Sequence, residues 1–223
     1  VSEQIAARYR RFAEVEAHGR SPLYEAFALG VAGDTFALDF LDALSDEKRQ
    51  PNLLFAALRH VCGTPRDWST FRTKLRDNAP AVRETMLARR TQTNEAGRCA
   101  TLLPVLARLP QPLALIEVGA SAGLCLLTDR YGYDYGKVRL APVWADAPVF
   151  PCRADPATPL PAAHPRVVWR LGLDLHPMDV ADAADRAWLA ALVWPEQADR
   201  LHRLRAAMDV ARRERRVSFK VTC

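Results

Sequence analysis

Residues 113–127 read LALIEVGASAGLCLL, and the fold turns on how this stretch is read. An apolar run ending in Glu117 has strand character, Gly119-Ala120-Ser121-Ala122-Gly123 is a turn of glycine and small residues, and Leu124 opens a helical pattern. The order predicts an internal parallel strand over Leu113–Val118 and a loop whose N–H groups around Ala120–Gly123 face an open cleft. Such an order suits a nucleotide-type ligand. Small residues let the backbone approach it closely, and the following helix N-terminus presents unpaired N–H groups.

Glu117 sharpens the reading. An acidic residue two positions before the first glycine fits the acid-x-G-x-x-x-G loop of S-adenosylmethionine-dependent methyltransferases, where it lies near the methionine portion of the cofactor. Glu117, Gly119, Ala120, Ser121 and Gly123 are therefore the candidate cofactor-binding residues of the first loop. The same pentapeptide fits G-x-S-x-G, the nucleophile elbow of α/β-hydrolases, with Ser121 as nucleophile. Against that stand the helical character of nearly everything upstream and the lack of an HGGG-like oxyanion stretch. A strand–turn–helix that holds no ligand is the third alternative.

Residues 166–180, RVVWRLGLDLHPMDV, repeat the grammar: a strand, Gly172-Leu173-Asp174, then a polar turn with Pro177. A carboxylate at the end of the second strand can accept hydrogen bonds from both ribose hydroxyls, which makes Asp174 the sixth cofactor candidate. Local turn chemistry competes for the same residue, with Asp179 and Asp182 as further helix caps. Gly119 and Asp174 are 55 residues apart, whereas an uninterrupted unit places the acid about 20 residues on. An insertion at about 132–165 accounts for the excess. It holds six prolines from Pro148 to Pro165, which disfavour helix and central strand and predict a hairpin followed by an extended loop. Tyr131, Tyr133 and Tyr135 at its start are assigned to packing.

Composition narrows the class. Hydrophobic residues make up 49% of 223, enough to bury one large core or two small ones. No apolar stretch approaches the roughly 18 residues of a membrane span, and VSEQIAARYRRFAEVE lacks the apolar core of a secretion signal, so the expectation is a cytoplasmic protein without membrane contact. Cysteines 62, 99, 125, 152 and 223 are odd in number with no C-x-x-C pair, and read as thiols outside any disulfide framework or zinc site. The net charge of +5 is carried largely by arginine. The densest run, from Arg200 to Arg216, is interleaved with Glu196, Asp199, Asp209 and Glu214 on one long helical pattern, which predicts a solvated face and argues against a nucleic-acid partner.

Upstream of Leu113 the apolar spacing predicts helices over 2–17, 21–32, 52–62, 66–76, 80–92 and 95–108, with a short one after Asp34. The chain divides into a helical part at 1–112 and an α/β part at 113–223. PNLLFAALRHVCG at 51–63, NEAGRCATLLPVLARL at 94–109, LALIEVGASAGLCLLTDRYGYDYG at 113–136 and the long segment 169–208 resemble an uncharacterised bacterial family, domain of unknown function 2332. The resemblance implies a helical N-terminal part and a Rossmann-like, methyltransferase-like parallel sheet. It also implies a sheet incomplete at the C-terminus, because relatives run on past the strand-like ending RRVSFKVTC. Either the chain is incomplete relative to its relatives, or a partner such as a second copy of the chain covers the apolar face and edge.

The functional expectation is methyl transfer from S-adenosylmethionine to an unnamed acceptor, with Glu117, Asp146 and His176 as the general-base candidates. A non-catalytic ligand-binding or interaction module on the same fold is the alternative.

Overall fold

The computed structural model describes residues 2–92, 94–214 and 218–221. They form two compact units, 2–92 with 187–198, and 94–186 with 199–214 and 218–221.

The first unit is helical. Its elements are α1 (Ser2–Arg11), prolonged by a π-helical turn at Phe12–Ala17, α2 (Pro22–Gly33), α3 (Thr35–Asp42), α4 (Pro51–Cys62), α5 (Trp68–Asp77) and α6 (Ala79–Ala88). The C-terminal part of α8 (Ala183–Leu192) also belongs to it. Six consecutive side chains of α4, Leu53 to Leu58, are buried, so this helix is apolar all round and forms the centre. Phe55 meets Tyr9, Phe12, Tyr24, Phe27 and Phe71, with ring centroids 4.9–6.0 Å apart. Ser21, Asp34 and Asp67 cap α2, α3 and α5, each accepting from a backbone N–H three residues on.

The helix C-termini are closed by cations from elsewhere in the unit. Arg49 donates to the carbonyls of Leu41, Asp42 and Leu44 at the end of α3. Lys48 does the same for Leu87 and Arg89 after α6, Lys74 for Cys62 of α4, and Arg59 for Ala191 and Val193 at the end of α8. These positions match positive charge to the negative end of the helix dipole and satisfy carbonyls that lack an intrahelical partner.

The second unit is α/β with a small parallel sheet. Its strands are β1 (Leu113–Val118), β5 (Val167–Asp174) and β6 (Ser218–Val221), in the order β1-β5-β6 and all parallel. A second sheet of order β3-β2-β4 comes from the insertion, with β2 (Gly132–Asp134), β3 (Arg139–Leu140) and β4 (Val149–Pro151). The predicted hairpin is β2–β3, and β4 adds a parallel strand that the proline count concealed. Tyr131, Tyr133 and Tyr135 are buried, and their hydroxyls donate to the carbonyls of Leu124, Thr128 and Ala100, the packing role expected of them. Helices α7 (Arg98–Leu106) and α9 (Ala198–Arg213) complete the unit.

Two expectations change. Among the described residues β1 pairs only with β5 and is an edge strand, not an internal one. The apolar run misleads because Ile116 and Val118 point to an uncovered face, at 62% and 81% exposure, continued by Trp169 on β5. In place of a helix after the glycine loop stands a single 3-10 turn, Leu124–Leu127. The chain then bends so that Asp129 reaches back to β5. The Asp129 carboxylate, 5% exposed, accepts from Arg170 Nη2 at 2.5 Å and from Arg130 Nη1 at 2.9 Å, while Arg170 Nε donates to the Leu126 carbonyl and Arg130 pairs with Glu214.

This pair locks the 3-10 turn to the sheet. Asp129→Ala leaves the Arg170 guanidinium buried without its counter-charge, and the expected cost is roughly 3–5 kcal/mol of unfolding free energy in urea titrations. A loss below about 1 kcal/mol would assign the lock elsewhere.

Candidate functional site

The C-terminal ends of parallel strands are where α/β folds present ligand sites. In the second unit that edge carries Glu117 on β1, the loop Gly119–Gly123, and Asp174 closing β5. Glu117 lies opposite Gly172, and Val118 opposite Leu173, in the β1–β5 register. Asp174 reaches the glycine loop despite the long insertion, as the adjacency of consecutive parallel strands requires.

The loop amides do not face an open cleft. Gly119 N and Ala120 N donate to the Leu173 carbonyl, Ser121 N to Asp174 Oδ2 at 2.7 Å, Ala122 N to Asn94 Oδ1 at 3.0 Å, and Gly123 N to the Ala120 carbonyl. Every N–H that an anion would need is already spent within the chain. Ala120, Ser121 and Ala122 are accordingly buried. Ser121 adopts φ 49°, in the left-handed region, held there by the Asp174 bond and by Asn94, whose Nδ2 donates to Ser121 Oγ. At 4% exposure this hydroxyl is not placed for attack on an incoming ester, which removes the main attraction of the nucleophile-elbow reading.

Asp174 serves both of its oxygens locally, Oδ2 to Ser121 N and Oδ1 to His176 N, each at 2.7 Å. A carboxylate has about four acceptor sites, so two remain. Asp179 caps its own turn through Ala181 N, and Asp182 accepts from Asp185 N at the start of α8, so the capping roles fall to these neighbours as well. Asp146 is committed to an ion pair with Arg213. His176, two residues after Asp174, is exposed.

Glu117 differs from all of these. Its Oε2 is buried and accepts no hydrogen bond. Burial pushes the carboxyl up to about 7, Arg98 and the Cys125 thiol pull it down, and the Asp174 charge pushes it up again. Nearby, Gly119 has φ 73° and an exposed position where a Cβ would meet nothing within 4 Å. An acceptor without a donor and unfilled space beside the backbone thus sit at the same strand end.

Asn94, Glu95 and Arg98 were missed as site residues. Glu95 Oε2 pairs with Arg200 at 2.6 Å and its carbonyl accepts from Cys125 Sγ. The signal lay in N-E-A-G-R, a polar pentapeptide at the entry to an apolar helix. The first unit has its own recess of about 180 Å³, lined by Glu47, Lys48, Gln50, Leu53, Arg90 and Thr91. Its buried Lys48 ammonium is occupied by two helix-end carbonyls, so the recess reads as a by-product of capping.

The sequence model of a bacterial family described as "uncharacterized protein conserved in bacteria (DUF2332)" matches residues 6–219. The chain belongs to this family. Comparison with curated proteins and with solved structures gives no match. Family membership therefore agrees with the resemblance seen in the sequence and assigns no reaction to this DUF2332 chain. No helix among the described residues is long and apolar enough to cross a membrane.

The Glu117 carboxyl sets a pH dependence. A carboxyl raised from an ordinary 4.5 to about 7 holds its proton more tightly folded than unfolded. Stability then falls as pH rises between those values and stays lowered above them. Glu117→Gln is expected to raise Tm relative to the parent at pH 8 and to leave it unchanged at pH 4.5. Parallel melting profiles for the two proteins across this range would contradict the assignment.

Proposed function

We propose that this chain binds S-adenosylmethionine at the C-terminal edge of β1 and β5, as a Rossmann-like, methyltransferase-like member of its family. The observation that carries the reading is the buried, unpartnered Glu117 oxygen beside the unfilled space at Gly119. A ligand suited to this edge brings hydrogen-bond donors and positive charge, since the backbone amides of the loop are spent and two carboxylates remain. S-adenosylmethionine has that chemistry: an ammonium, a sulfonium and two ribose hydroxyls, with no phosphate to cradle. Glu117 would accept from the ammonium and Asp174, through its two remaining acceptor sites, from the ribose.

When bound, the cofactor supplies a sulfonium methyl for a nucleophilic N, O or C acceptor. The chain's own contribution is to orient the cofactor and exclude water. Asp174 holds the loop in register with β5, Asn94 covers Ser121 and Ala122, and Glu117 changes protonation as the ammonium arrives. The spent loop amides favour a second reading, a non-catalytic module that keeps this architecture without the cofactor.

Calorimetry with S-adenosylmethionine and S-adenosylhomocysteine separates the two. On the cofactor reading both bind, and between pH 5.5 and 7 binding releases a proton, because the incoming ammonium lowers the Glu117 pKa. Glu117→Ala or Asp174→Ala should weaken S-adenosylhomocysteine by about tenfold or more, the weight of a hydrogen bond to a charged group. Absence of binding by either ligand in the folded protein would leave the module reading.

A further inference from the structure

The open side of β1 has the make-up of an interface. In a parallel pair, alternate residues turn both N–H and C=O to the same neighbour. Leu113 N and Gly119 N donate into the β5 segment, so Leu115 and Glu117 face β5 with them. The N–H and C=O groups of Ala114, Ile116 and Val118 are directed to the other side, where no strand pairs with β1 among the described residues. Lysine and proline, the usual guards of a free edge, are absent from Leu113–Val118. Its single charge, Glu117, is half-buried on the face opposite to Ile116 and Val118.

The pattern of exposure identifies the kind of neighbour that is missing. Ile116 and Val118 share their face of the sheet with Leu171 and Leu173, which stand opposite them on β5. The two leucines have a strand on each side, β1 and β6, and are half-buried, whereas Ile116 and Val118 are exposed. A missing layer above the sheet would expose all four alike. A gradient that steepens toward the edge is the mark of a missing strand beside β1, because side chains on neighbouring strands cover each other laterally.

We propose that β1 is a self-association edge, which pairs antiparallel with β1 of a second copy of this chain across a two-fold axis at Ile116. Ile116 then meets Ile116 of the second copy as a hydrogen-bonded pair, and Ala114 meets Val118 of the second copy. Ala114 stands opposite Trp169 on β5 and is too small to cover that indole, which is 46% exposed. Val118 of the second copy lands beside Ala114 and supplies the cover. Charge selects the direction. The exposed Arg166 adjoins the start of β1 through the Leu113 N–H, while Glu117 and Asp174 mark the ends of β1 and β5. Antiparallel pairing sets the basic start of one copy near the acidic end of the other, whereas a two-fold axis along the strands would bring the acidic ends together. A foreign strand would have to match both this order of small and large apolar residues and this polarity of charge. A second copy carries both by identity. The pairing uses the lateral edge of β1 and is independent of the S-adenosylmethionine reading.

Sedimentation velocity of the full chain over a concentration series should reach twice the chain mass. Ile116→Lys sets two ammonium groups against each other at the axis and should return the chain to a monomer, and because the side chain is exposed the variant should melt like the parent at dilution. In Ile116→Cys the paired Cα atoms are about 5.5 Å apart, within the span of a disulfide, so mild oxidation should join two copies through position 116, located by peptide mapping without reductant. Ala114→Cys should not join to itself, since the two positions 114 lie roughly 13 Å apart along the paired strands. A parent that stays monomeric at every concentration would overturn the proposal, as would Ala114→Cys linking as readily as Ile116→Cys. A dimer that survives Ile116→Lys and is lost in Trp169→Lys would also overturn it, by placing the interface on the sheet face. Binding or absence of S-adenosylhomocysteine changes none of these readouts.

Discussion

The buried contact between Asp129 and Arg170 replaces what a crossover helix does in a plain strand–helix–strand unit. With only a 3-10 turn after the glycine loop, β1 has little local structure to hold it against β5. Arg170 supplies it from the middle of β5, taking the Leu126 carbonyl with one nitrogen and the Asp129 carboxylate with another. Because both groups are almost wholly removed from water, the pair persists only while each satisfies the other, and that mutual dependence fixes the turn. The glycine loop, Asp174 and Glu117 are positioned on this frame. The Glu117 environment is therefore a property of the second unit's core more than of the loop that first drew attention.

Local chemistry is legible in this sequence and distant partners are not. The strand at Leu113–Val118, the helix starts at 21 and after Asp34, and the packing of the three tyrosines all follow from short-range chemistry, where a residue and its neighbours within a turn or two decide the outcome. The fate of the loop amides could not be read this way. Their acceptors include Asn94 and Asp174, 28 and 53 positions away, and a small-residue turn looks the same in sequence whether its N–H groups meet a ligand or another part of the chain. The edge position of β1 was hidden for a related reason. An apolar run reports that both faces of a strand are apolar, and says nothing of whether those faces are covered or which strands flank it.

The basic composition has a similarly local explanation that only three dimensions reveal. In the first unit Lys48, Arg49, Arg59 and Lys74 are spent on helix-end carbonyls, and along α9 Arg200, Arg212 and Arg213 pair with Glu95, Asp209 and Asp146. Arg215 and Arg216 lie outside the described residues. A cation that satisfies a carbonyl at a helix end is held by geometry as well as charge, so replacing it by a neutral side chain strands the carbonyl in addition to changing the net charge.

Neither compact unit is continuous in sequence, and this bears on how the polypeptide acquires its structure during synthesis. The helical core built around Phe55 includes Trp188, whose indole N–H donates to the Arg90 carbonyl, so the first ninety residues emerge from the ribosome without a wall of their own core. The α/β unit waits as long, since Arg130 finds Glu214 only after more than eighty further residues have been added. Long-range closures of this kind slow folding and prolong the exposure of apolar surface on the nascent chain. A polypeptide stalled before residue 188 would leave Phe12, Tyr24 and His60 without the Trp188 and Trp194 rings that pack on them, open to solvent or to a chaperone.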